Sequence, residues 1–163
     1  MKLFQKIGAV GILATALFGC WGYPGPCWGW GPGWGYWAGA NPPQLTKPEQ
    51  RDLTQVYQRL LLTNQLYSAL ASRYPNTPFP NLTFWTSRQL GWVGSWIPNP
   101  PTSAPKLPPI PADLTKGVQL AEEVENQNLK LFQQIANRDK NLYPLLIPLI
   151  NSCYRRLAIL EGY

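Results

Sequence analysis

A chain of 163 residues with 14 Lys+Arg against 8 Asp+Glu carries a net charge of +6 and contains no histidine. It therefore lacks the usual proton shuttle, the commonest metal ligand and the base of most nucleophilic triads, which weakens most enzyme readings. Its cations are scattered singly apart from Arg155-Arg156, so attraction to anionic surfaces is allowed and nucleic-acid binding is not indicated.

The first segment, Met1 to Lys6, carries two lysines, and Ile7 to Gly19 is an uncharged, mostly apolar run of 13 residues. A membrane span needs about 20 apolar residues, so this order of charge and apolar run predicts an export signal over residues 1–19. The run closes on Leu17-Phe18-Gly19-Cys20, which resembles the lipobox of bacterial lipoproteins: an aliphatic residue three before the cysteine, a small residue just before it, then Cys. The resemblance implies that Cys20 carries the acyl (palmitate-type) anchor in the cell envelope. By resemblance to the sorting rule of enteric bacteria, Trp21 in place of Asp favours the outer membrane. Phe18 departs from the small or β-branched residue usual at its place. Ala14-Thr15-Ala16 offers ordinary signal cleavage instead, giving a secreted or periplasmic soluble protein, and an uncleaved anchor is the third alternative.

Residues 20–45 read as a tether. From Trp21 to Ala40 there is no charge, and Gly and Pro are too frequent for regular helix. Five tryptophans beside a lipid anchor suit the membrane interface, where amphipathic rings sit at headgroup level. The alternative is a platform in which Trp28, Trp30, Trp34 and Trp37 stack on sugars of a glycan or peptidoglycan; no acidic or amide residues accompany the rings to hold hydroxyls. If Cys20 is lipidated, Cys27 and Cys153 are left to form a disulfide closing a loop of about 125 residues. The competing reading makes Cys153 a small buried apolar residue.

Residues 46–163 read as an all-α, four-helix bundle domain. Thr46-Lys47-Pro48-Glu49 has the form of a capping box, and Leu53, Val56, Tyr57, Leu60, Asn64, Tyr67, Ala71 and Tyr74 recur at three and four, predicting a long first helix ended by Pro75. Residues 81–97 place Leu82, Trp85, Gln89, Trp92, Val93 and Trp96 on one face of a second helix, stopped by the Pro-rich linker 98–111. Trp85, Trp92 and Trp96 read as core rather than as a ligand platform. A third helix follows from Leu114, Val118, Ala121, Val124, Leu131, Phe132 and Ile135, and a fourth from Leu142 to Leu160, with Pro144 in its first turn and Pro148 bending it. Two helical hairpins joined by a long linker make the bundle. At 100° per residue the polar side chains Asn64, Thr86, Gln89, Glu125, Asn128 and Arg156 face inward, and unpaired burial is costly, so they are expected to meet. Glu125, or border-placed Glu122, with Arg156 is the expected charge pair.

The stretches Leu66-Tyr67 to Leu70-Ala71-Ser72-Arg73-Tyr74 and Pro78-Phe79-Pro80-Asn81-Leu82-Thr83 resemble the first hairpin of a ferritin-like family of uncharacterised bacterial and archaeal proteins. Leu120-Ala121-Glu122-Glu123-Val124-Glu125-Asn126-Gln127-Asn128-Leu129 is similar to that family's acidic third helix, and Cys153-Tyr154-Arg155-Arg156-Leu157 falls where its last helix carries a final ligand. The resemblance implies a di-metal centre with a Glu from each of two helices and a Glu-x-x-His from each of the other two. Carried over residue by residue, those ligands fall on Leu60, Thr86, Gln89, Cys153 and Arg156, and only the third-helix acid survives, as Glu122 or Glu125. The expectation is a membrane-held, metal-free bundle with no cofactor and no catalytic residue. It would act as a structural or protein-binding module for another envelope protein. A ferritin-like metal or oxidoreductase protein and a glycan binder are the alternatives.

Overall fold

The computed structural model describes residues 44–103 and 105–163. The signal segment, Cys20, Cys27 and the tether tryptophans Trp28, Trp30, Trp34 and Trp37 lie outside the described residues.

Four helices follow in order: α1 (Lys47–Arg73), α2 (Phe79–Gly94), α3 (Leu114–Arg138) and α4 (Tyr143–Leu160). Each start has a local cause. Thr46 and Glu49 form the reciprocal capping box, the Glu49 carboxylate accepting from Thr46 N at 2.5 Å. Asp113 Oδ1 accepts from Lys116 N at 2.9 Å and opens α3. Pro80 and Pro144 fall in the first turns of α2 and α4, where a missing N–H costs nothing.

Contacts between the ends fix the directions. Gly94, near the end of α2, lies against Tyr57 in the lower half of α1, so close that a Cβ would sit 3.1 Å from the ring. Gly117, near the start of α3, lies against Leu70 and Tyr74 at the top of α1. Residues 95–113 therefore run the length of the bundle, and Tyr74 Oη donates to Pro111 O at 3.1 Å near their far end. Arg138 then meets Asp52, and Asn141 meets Glu49, back at the bottom. The connectivity is up-down-down-up with one long crossover.

The core divides in two. A lower cluster holds Leu53, Val56, Leu60, Val93, Trp96, Phe132, Ile135, Leu142, Leu146 and Leu149; an upper one holds Leu66, Tyr67, Leu70, Phe79, Leu82, Val118, Ala121 and Leu160. Between them lies a polar waist.

Several expectations are corrected. The second helix runs Phe79–Gly94, not 81–97: Ser95, Trp96 and Ile97 form turns whose N–H groups reach carbonyls three residues back. Its buried stripe is Phe79, Leu82, Thr86, Gln89 and Val93. Trp96 is buried, but Trp85 and Trp92 are only half-buried. On α1 the inward polar residue is Thr63, and Asn64 stands one position round the helix, half-buried. The physical reason is that α1 packs on both α2 and α3, so its buried surface is wider than one stripe and its centre cannot be read from a single period.

Candidate functional site

The waist is built around Arg156 on α4, which is 2 % exposed. Its Nε donates to Glu125 Oε1 at 2.6 Å and its Nη2 to Glu125 Oε2 at 3.0 Å, a bidentate pair across α3 and α4. Nη1 donates to Gln89 Oε1 on α2 at 2.8 Å and to Ser152 Oγ at 2.9 Å, and Nη2 reaches Cys153 Sγ at 3.4 Å. The Gln89 amide closes a ring by donating Nε2 to Ser152 Oγ at 2.6 Å. From α1, Tyr67 Oη donates to Glu125 Oε1 at 2.6 Å, so all four helices contribute.

One turn below, Asn128 donates Nδ2 to Thr63 Oγ1 at 2.8 Å and accepts from Arg59 Nε at 2.9 Å. Arg59 also reaches Gln127 Oε1 and Val124 O. Among the described residues, no buried side-chain polar atom lacks a hydrogen-bond partner. The two layers therefore pay little of the penalty that burying polar groups carries.

The electrostatics follow from this packing. Burial alone would lower the Arg156 pKa, but Glu125 beside it outweighs that and holds the guanidinium more firmly charged than usual. Burial, then the Glu125 charge, raises the Tyr67 phenol well above its ordinary value and raises the Cys153 thiol too. Arg59, half in solvent, is lowered by burial against a weaker pull from Glu125.

Of the expected network, Glu125, Arg156, Gln89 and Asn128 lie in the waist, while Asn64 and Glu122 do not. Asn64 Nδ2 bonds Thr83 O at 2.9 Å and Ser87 Oγ at 2.8 Å, at the α1–α2 surface. Glu122 is half-buried and is not among the partners of Arg156. Sequence reasoning missed Tyr67, Ser152, Thr63 and Arg59. The signal for Tyr67 was available, since a buried phenol needs a partner; Ser152 and Arg156 are also four apart on one helix. Cys153 is fully buried with its sulfur toward Arg156; the pairing with Cys27 involves a residue outside those described.

The residues that the ferritin-like resemblance would put at ligand positions do not fit a di-metal centre. Leu60 has no donor atom, and Thr86 spends its hydroxyl on Leu82 O at 2.7 Å. Gln89 and Cys153 are turned onto Arg156, whose charge is permanent. Among the described residues no three His, Cys, Asp or Glu side chains cluster, and no helix is long and apolar enough to cross a membrane. Two shallow clefts, about 360 and 440 Å³, lie at the lower end around Arg51. No family model, no curated protein and no solved structure matches this chain.

Proposed function

We propose that the chain is an exported lipoprotein, held in the bacterial envelope through Cys20, whose helical bundle serves as a structural or protein-binding module without chemistry of its own. The observation that carries this reading is the waist: the polar atoms of the bundle centre are spent on one another, with Arg156 and Glu125 neutralised as a pair at 2.6 Å. A centre of that kind stabilises one packing of the helices and keeps the waist's own side chains engaged with one another. Export rests on the order of lysines, apolar run and Gly19-Cys20, and the charge-free Gly/Pro/Trp segment gives the bundle a leash to the membrane surface.

The test is metabolic labelling with a palmitate analogue in a bacterial host, with envelope fractionation. The wild-type chain is expected to carry label in the membrane fraction, and Cys20→Ala to lose both label and membrane retention. An unlabelled, freely soluble wild-type protein overturns the anchor. Stoichiometric iron or manganese in purified protein overturns the metal-free module.

A further inference from the structure

A guanidinium has five N–H donors in a rigid plane, and in Arg156 every one is taken: two by Glu125, one each by Gln89, Ser152 and Cys153. The acceptors come from α2, α3 and α4. Two of them are also held by bonds in which Arg156 has no part. Tyr67 Oη fixes Glu125 Oε1, and Gln89 is fixed through its Nε2 on Ser152.

We infer that the bundle centre is a preformed cation cage selective for guanidinium, which this chain fills with its own Arg156. The shape argues for a planar fork over a point charge: a bidentate carboxylate on one edge and an amide oxygen with a hydroxyl on the other match the guanidinium outline, whereas an ammonium has three donors for five acceptors. The donor set argues against a divalent ion. Only one carboxylate is present, and burial keeps the Cys153 thiol protonated, which removes the thiolate that a soft metal needs. The inference shares with the proposed function only the metal-free centre and is independent of the lipid anchor.

It is tested with the unlipidated chain, Cys20→Ala, carrying Arg156→Ala, which removes the guanidinium and keeps every acceptor residue in the sequence. The variant is titrated with methylguanidinium, methylammonium and Co²⁺ at matched ionic strength while helix signal and melting midpoint are followed. Methylguanidinium is expected to restore the midpoint at a concentration on the order of tenfold below methylammonium. Wild-type protein is expected to ignore all three. Should Arg156→Ala fail to fold, methylguanidinium-dependent recovery of its helix signal is the same readout. Arg156→Lys gives a folded background in which the missing donors predict partial stability. Equal effects of the two organic cations, an equal response of the wild type, or stabilisation by Co²⁺ with a sulfur-to-cobalt absorption band would each overturn the inference. Palmitate labelling is read separately, so loss of the anchor and loss of the cage are distinguishable.

Discussion

Among the described residues, two arginine–carboxylate pairs join helices, and they differ in almost everything but chemistry. Arg156–Glu125 links α4 to α3 with side chains 3 % and 0 % exposed; Arg138–Asp52 links the end of α3 to the start of α1 with 64 % and 14 %. Water and salt reach the Arg138 end of the outer pair in either state, so its net contribution is small. The inner pair has lost its water and regains the loss only because each donor and acceptor is matched. The contrast is therefore less about strength than about what remains when one partner is removed.

The largest expected effect is on the inner pair. Glu125→Ala or Arg156→Ala strands a buried charge and is expected to cost about 3–5 kcal/mol in urea unfolding, whereas the double change Glu125→Leu/Arg156→Met falls within about 2 kcal/mol of wild type. If the singles cost no more than the double, the stranded-charge account fails. Tyr67→Phe withdraws one bond from the carboxylate and is expected to cost about 1.5–3 kcal/mol by the same measurement. Arg138→Ala is expected to cost less than about 1 kcal/mol, shrinking further in high salt. A loss as large as that at Arg156 would erase the comparison.

Titration sharpens it from another side. Tyr67 and Cys153 have raised folded pKa values, so their contribution is complete below the unfolded values and is lost as pH climbs past about 8.5 for the thiol and about 10 for the phenol. Cys153→Ala is expected to flatten the first part of that alkaline limb in melting curves. Glu49 has the opposite sign: hydrogen bonds from Asn141, then Thr46, lower its pKa, so its contribution is present above about pH 4.3 and disappears as pH falls. Glu49→Gln is expected to flatten the acid limb and leave the alkaline one unchanged.

The helices were legible because their starts and stops are local. Thr46-Lys47-Pro48-Glu49 is a complete cap in four letters, and Pro75 ends α1 whatever packs on it. The inner pair was legible too, because Glu125 and Arg156 each recur in phase with the apolar residues on the buried face of their helix. What could not be read is which of two adjacent residues points inward when a helix packs on several neighbours, and Thr63 with Asn64 is that case. Arg59 was equally hidden: its guanidinium enters from the flank, and its partners Asn128 and Gln127 lie 69 and 68 residues away. The end of α2 was misjudged because Trp92 and Trp96 continue the apolar pattern, although they pack edge to face at 6.5 Å as the chain leaves the helix.

The capping box does more than start a helix. Glu49 Oε1 accepts from Asn141 Nδ2 at 2.7 Å while its other oxygen holds Thr46, so the first turn of α1 is fastened to the loop between α3 and α4. Asp52 repeats the fastening one turn on, with Arg138. Any pull transmitted along the chain at residue 44 therefore meets Leu45, packed on the lower core, and at the next residue this clasp. The clasp divides the load between the helix on which the pull acts directly and the hairpin fastened to it.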